Sequence, residues 1–253
     1  MPERRDEDKQ VRWEASRGET ARDCLIVALD VNSSAAALTL VERLEGRCLW
    51  FKVGLELYLA TGGSILPKLR SLRYEVFLDL KLHDIPNTIA SAVRVLSGSG
   101  ASLLTVHAAG GPAMLRAAVE AAASSPDSPR LLAVTVLTSM DGDELQAIGV
   151  DVAPKDQVDR LGRAALAAGV SGLICSPLEA AALRAEHGMK PLLVVPGIRP
   201  AGSAAGDQQR IAGPAEAIAA GASMLVVGRP ITRAADPARA AEDILREIEA
   251  ALP

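Results

Sequence analysis

The chain lacks paired cysteines, long apolar runs and any concentration of positive charge. Its three cysteines, Cys24, Cys48 and Cys175, are odd in number, make no C-x-x-C pair and lie in apolar strand-like runs, so they read as reduced core residues of a cytosolic protein. No apolar stretch approaches the ~20 residues needed to cross a bilayer. The opening segment, Met1 to Thr20, is charged and has no apolar core of the secretory kind. A membrane span and secretion are both disfavoured. Formal net charge is -4, and lysine and arginine are dispersed instead of massed in a stripe, which argues against nucleic acid as a partner. There is no P-loop, and no G-x-G-x-x-G follows the first strand-like run, so ATP and NAD find no binding motif. The three histidines, His83, His107 and His187, are scattered without metal-ligand spacing. No metal is assigned.

What is present is regular alternation. From Cys24 onward, short β-rich runs alternate with Ala/Leu-rich helical stretches, the pattern of consecutive βα units and a parallel sheet. Eight strand-like runs can be counted: Leu25–Asp30, Leu49–Val53, Glu75–Lys81, Ser102–His107, Leu131–Leu137, Gly172–Cys175, Leu192–Val195 and Met224–Val227. Between them lie helical candidates such as Ser34–Leu44, Pro86–Leu96, Ala113–Ala123, Gln157–Ala168, Pro177–Glu186, Pro214–Ala219 and Pro237–Ala250, several opening with the proline that suits a first helical turn. The count of eight, in a chain of 253 residues close to the typical ~250, predicts an α/β protein: a (β/α)8 TIM barrel as a single domain over residues 24–253. Residues 1–23 are expected to be a polar, solvated extension outside the barrel, with Trp13 its strongest docking candidate. The run Ser124 to Pro129 reads as a loop within the domain.

The third run carries the first chemical signal. Side chains at i and i+2 share one face of a strand, so Asp79 and Lys81 point together while Val76, Leu78, Leu80 and Leu82 point the other way. An ionic inner face and a greasy outer one suit a barrel strand packed on helices, with reactive groups at its carboxyl end. The same rule applied to neighbouring runs brings in Asp30 and Lys52, and the fifth run leads into Thr138 and Ser139. The runs seven and eight end in Pro196-Gly197-Ile198-Arg199-Pro200 and Gly228-Arg229-Pro230. Loops at those two places commonly bind phosphate in this fold, and arginine offers a permanently charged, two-pronged grip. Quieter readings exist for single residues. Asp79 and Lys81 could be a structural ion pair, Asp84 and Asp30 helix caps, Gln208 a loop amide, and the glycines chain-turning residues.

Taken together, the run Asp79-Leu80-Lys81-Leu82-His83-Asp84-Ile85-Pro86-Asn87-Thr88 closely resembles the signature of the bacterial orotidine 5'-phosphate decarboxylase family. The resemblance extends through Leu25 to Asp30, Lys52-Val53-Gly54, Val106-His107-Ala108, Ala133 to Ser139, Pro196 to Pro200, Gly206-Asp207-Gln208 and Gly228 to Thr232, in the family's order. It implies a TIM barrel that decarboxylates orotidine 5'-phosphate to UMP without a cofactor. It also implies that Lys52, Asp79, Lys81 and Asp84 form an alternating charge network, with Lys81 the proton donor to C6 of the pyrimidine. Asp30 and Lys52 are implied at the ribose hydroxyls, Ser139 at the pyrimidine edge, and Gln208, Gly228 and Arg229 at the phosphate. Thr138 and Arg199 fall at further substrate-contact positions, and Ile85 and Pro196 at apolar walls. Asp84, Ile85 and Thr88 are implied to reach a neighbouring subunit's site, hence a homodimer, which the cysteine usage places in the cytoplasm. Two rival readings stand beside it: a metal-dependent sugar-phosphate relative sharing Asp-x-Lys-x-x-Asp, and a barrel that binds a phosphometabolite without turnover.

Overall fold

A computed structural model describes residues 20–200 and 210–252. Eight strands, β1 (Leu25–Ala28), β2 (Trp50–Gly54), β3 (Glu75–Leu82), β4 (Leu103–His107), β5 (Arg130–Val134), β6 (Gly172–Ile174), β7 (Leu192–Val195) and β8 (Met224–Val227), close into a barrel in chain order. Every neighbouring pair is parallel, including β1 with β8. The helices, in chain order, are α1 (Ala21–Cys24), α2 (Ser34–Arg43), α3 (Leu55–Thr61), α4 (Ile65–Ser71), α5 (Pro86–Leu96), α6 (Gly111–Ala123), α7 (Gly142–Ala147), α8 (Pro154–Ala167), α9 (Pro177–His187), α10 (Pro214–Ala219), α11 (Arg229–Thr232) and α12 (Pro237–Glu249). The structure is one α/β domain. The described chain opens with α1, whose Ala21 and Cys24 are buried. Trp13 lies outside the described residues.

The strands alternate between two apolar environments. One set of side chains, including Val27, Phe51, Val76, Leu78, Leu104, Leu193 and Leu225, packs with the inward faces of the helices. The other set fills the lumen: Ile26, Ala28, Trp50, Phe77, Leu103, Leu132, Val134, Ile174, Leu192, Val194, Met224 and Val226. Interior-facing residues of a closed barrel make a packed core, not a pore. The lumen is therefore sealed below, and polar groups can gather only toward the strand C-termini.

Several elements differ from the reading of the sequence, each for a visible reason. The fifth strand stops at Val134 instead of Leu137. There the Thr135 N–H and hydroxyl both donate to the Ile174 carbonyl, at 3.3 and 2.8 Å, and the carbonyls of Val136 and Leu137 accept from the Arg210 side chain. The first strand ends at Ala28, with the Leu29 N–H still donating to the Lys52 carbonyl. Helix α2 is capped by Ser33, whose hydroxyl accepts from the Ala36 N–H, leaving Asp30 free of that duty. Helices α3 and α4 fill the β2–β3 connection, where Gly62 in the left-handed region (φ 58°) ends α3. The third strand carries a register shift: β3 advances four steps, from Leu78 to Leu82, where β4 advances two, from Leu104 to Val106.

Candidate active site

The charged residues of β1, β2 and β3 meet at the C-terminal mouth, above the lumen's apolar side chains. Two residues past Trp50, whose side chain lies in the lumen, Lys52 sends its Nζ to 3.0 Å from Asp30 Oδ1 and 3.7 Å from Asp79 Oδ2. Two residues past Phe77, Asp79 takes the same inward direction, and its Oδ2 lies 2.7 Å from Lys81 Nζ. The result is a run of alternating charge, Asp30, Lys52, Asp79, Lys81. Exposure falls from Asp30, at 58%, to 12% for both Lys52 and Asp79, with Lys81 at 34%. The acid at the centre is thus enclosed and neutralised from both sides.

Opposing influences act on Asp79. Burial pushes its carboxyl upward, but the ammonium groups of Lys81 and Lys52, with hydrogen bonds from Lys81 and Thr105, outweigh that and hold it below the usual carboxylate range. Asp79 is an anion with both oxygens engaged. Gly54, at the end of β2, belongs to the same assembly: a Cβ there would lie 3.0 Å from Lys52 Nζ and 3.6 Å from Asp30 Oδ1. The missing side chain keeps the Lys52–Asp30 contact open.

Asp84 does not join this network within one chain. It is exposed, and its Oδ1 accepts from the Ile85 N–H at 2.6 Å. It is not the helix cap either: Ile85 occupies the cap position of α5 and no side chain caps it. Ile85, 66% exposed, and Thr88 lie with Asp84 on the outer surface at the start of α5. Thr138 and Ser139 form the turn after β5, half-buried and exposed respectively.

At the opposite side of the mouth, Pro196 and the left-handed Gly197 (φ 80°) lead out of β7, and Ile198 bridges to Ala212. Arg199 is partly buried, its Nη1 donating to the Ile198 carbonyl at 2.8 Å. Gly228 precedes Arg229, which opens α11 and is exposed. A Cβ at Gly228 would lie 3.5 Å from Asp30 Oδ2, so the two halves of the mouth touch at Asp30. Gln208 lies outside the described residues.

Three participants escaped the sequence reading. Thr105, wholly buried on β4, donates to Asp79 Oδ1 at 3.0 Å and accepts from the Lys81 N–H at 2.8 Å. Its signal was one polar residue on the inward face shared by Leu103 and His107. The other two are Arg210 and Glu179, an ion pair at 2.5 Å whose members are both buried. Glu179 closes a capping box on Ser176 at the start of α9, and the S-x-x-E spacing announces it. Arg210 Nη2 donates to the carbonyls of Val136 and Leu137, at 3.3 and 2.8 Å, which draws the chain out of β5 toward Thr138.

The histidines play varied parts. His107, at the end of β4, stacks on exposed His83 with ring centroids 5.4 Å apart. Burial first, then the neighbouring His83 and Lys81, push it below the ordinary histidine value. His187, at the end of α9, lies with Asp159 and Glu186, the one grouping of three metal-capable side chains among the described residues. Arg163 pairs with both carboxylates, supplying the positive charge there. At the mouth the oxygens of Asp79 likewise face two ammonium groups and a hydroxyl, which is not the donor set of a divalent cation.

A model of the family described as Orotidine 5'-phosphate decarboxylase / HUMPS matches residues 23–244. A protein of Rhodopseudomonas palustris (strain HaA2) named orotidine 5'-phosphate decarboxylase is 53% identical over 227 residues, 90% of this chain and 95% of its own. One of the same name from Halorhodospira halophila is 50% identical over 227 residues, covering 90% and 96%. Among solved structures, the orotidine 5'-phosphate decarboxylase of Lactobacillus acidophilus superposes with a TM-score of 0.79 at 38% identity, over 89% of this chain and 98% of that one.

Proposed function

The chain belongs to the orotidine 5'-phosphate decarboxylase / HUMPS family, and from that premise we propose that it converts orotidine 5'-phosphate to UMP and carbon dioxide, the last step of UMP synthesis. The observation that carries this reading is the alternation Lys52–Asp79–Lys81 at the barrel mouth, with buried Asp79 gripped between two ammonium groups.

The chemistry asks for such an arrangement. Cleaving the bond from C6 to the carboxyl carbon leaves an electron pair in the ring plane, where the pyrimidine π-system cannot absorb it. Placed charge must then lower the barrier. The ammonium of Lys81 stabilises that pair as it forms and delivers the proton that ends it as a C–H bond. Asp79 faces the departing carboxylate, and the repulsion disappears when neutral carbon dioxide leaves. Lys52 neutralises Asp79 from its other side and, with Asp30, meets the ribose hydroxyls. Gln208, Gly228 and Arg229 take the phosphate, Arg199 and Thr138 further substrate contacts, and Ser139 the pyrimidine edge, with Pro196 and Ile85 as apolar walls. Binding of the remote phosphate offsets the ground-state repulsion at the reacting end.

The exposure of Asp84, Ile85 and Thr88 supports a homodimer in which these residues complete the neighbouring site. Among the described residues no helix is long and apolar enough to cross a membrane, and three free, buried cysteines support a cytoplasmic enzyme. No metal or organic cofactor is required by this chemistry. The deciding experiment incubates purified protein with orotidine 5'-phosphate and EDTA and follows UMP and carbon dioxide. Turnover that survives the chelator is expected; its loss on chelation would favour the metal-dependent rival, and tight binding without turnover the non-catalytic one.

A further inference from the structure

We propose that Thr105 is a positioning residue for this decarboxylation, its one hydroxyl setting both the backbone at Lys81 and the carboxylate of Asp79. The inference rests on the reading above and adds to it a residue that has no direct part in the chemistry.

The case begins with the register of β3. Regular parallel pairing holds through Phe77–Leu103 and Leu78–Leu104, then resumes at Leu82–Val106. Over that interval β3 has two residues more than β4, so Asp79, Leu80 and Lys81 lose their regular ladder partners on β4, while Asp79 keeps Gly54 on β2. Lys81 there adopts a left-handed backbone, φ 49°, a conformation uncommon for a residue with a side chain. Strain of this kind persists where surrounding structure holds it in place. The holding contact is the Thr105 hydroxyl, which accepts from the Lys81 N–H at 2.8 Å in place of a ladder carbonyl.

The direction of the second bond follows from the first. A backbone N–H can only donate, so at Lys81 the hydroxyl is the acceptor and its own proton is available elsewhere. It goes to Asp79 Oδ1, 3.0 Å away. Engaging Oδ1 on the β4 side turns the carboxylate so that Oδ2 faces Lys81 and Lys52, at 2.7 and 3.7 Å. A fully buried hydroxyl is costly unless its hydrogen-bonding capacity is used, and at Thr105 both functions are directed at the charged pair. An apolar β-branched residue would fill the same volume and satisfy neither group.

The test compares Thr105→Val, which keeps shape and removes the hydroxyl, with Thr105→Ser, which keeps the hydroxyl. For Thr105→Val the expected result is a kcat lowered by about 10- to 100-fold, the scale of a small misplacement of reacting groups, with KM little changed because the phosphate grip is elsewhere. Thr105→Ser should restore most of the rate. A second readout needs no substrate: the carboxyl of Asp79, followed by carbon-13 NMR, should titrate at higher pH in Thr105→Val and return toward wild type in Thr105→Ser. Should valine prevent folding, Thr105→Ala gives the same comparison with serine. Wild-type kcat and an unmoved Asp79 titration in a folded hydroxyl-free variant would overturn the proposal, as would a serine variant no better than valine. A wild-type protein that leaves orotidine 5'-phosphate intact removes the decarboxylation reading instead, and the Asp79 titration still decides whether Thr105 organises the pair.

Discussion

Replacing Lys81 by alanine is the most direct perturbation of the barrel mouth. Lys81 Nζ sits 2.7 Å from Asp79 Oδ2; in the proposed mechanism it comes within about 3–3.5 Å of the carbon that loses carbon dioxide. At that separation, with an effective dielectric constant of about 20, a unit charge pair interacts by about 5 kcal/mol. Converted to rate, that is close to 10⁴-fold. Loss of the proposed proton donor adds to it, since positioned proton transfer contributes about 10²- to 10⁴-fold. The two contributions belong to one side chain and do not simply multiply, so kcat in Lys81→Ala should fall by at least about 10⁴-fold. The assay is UMP formation at saturating substrate, with circular dichroism to establish folding and the affinity for UMP to establish that the phosphate grip survives. A folded Lys81→Ala protein that retains a tenth or more of wild-type kcat would refute the electrostatic argument, because no background route around a missing ammonium is expected to be so fast.

Four further outcomes follow from the same geometry. Gly54→Ala places a Cβ 3.0 Å from Lys52 Nζ, the movable end of a side chain, so Tm should hold while kcat/KM drops; an unchanged kcat/KM would show that Lys52 has no fixed station. Arg229→Ala should chiefly raise KM for orotidine 5'-phosphate, measured by initial rates, and an unaltered KM would contradict the phosphate assignment. Arg210→Met strands the buried Glu179 and should cost about 3–5 kcal/mol in urea unfolding, whereas changing both to apolar residues should cost much less. Because Lys81 and Lys52 hold Asp79 below its ordinary value of 3.8 against burial, its charge contributes stability fully above that value, and the contribution is lost as pH falls through the lower folded value. Acid unfolding of Asp79→Asn should therefore show a shallower pH dependence in that acidic window than wild type; parallel curves would argue otherwise.

The eight strands and the placement of Asp30, Lys52, Asp79 and Lys81 were legible because both depend on local pattern: period-two alternation decides which side chains share a face, and the fold's geometry decides which end is reactive. The register shift in β3 was not legible. It depends on how residues 78–82 pair with residues 104–106 of another strand, and nothing within β3 reports its partner's count. Thr105 went unnoticed for the same reason, since its importance comes from the gap that shift opens. The fifth strand was read too long because Thr135-Val136-Leu137 has every local preference for a strand, and the side chain that takes its carbonyls lies more than seventy residues away. Asp84 illustrates the converse: its signature position is plain, yet among the described residues its carboxylate accepts only from the N–H of neighbouring Ile85.

Asp30 stands at the joint where the first strand of the chain is flanked by the second and the last. One carboxylate oxygen addresses Lys52 from β2, while the other faces Gly228 at the exit of β8. The ammonium side and the anion side of the mouth are thus brought edge to edge only when the ring is complete. A nascent chain still lacking its eighth strand contains Asp30, Lys52, Asp79 and Lys81 but neither the strand that closes against Asp30 nor the Gly228–Arg229 exit that follows it, so the appearance of catalysis during synthesis or refolding marks the moment the circle shuts.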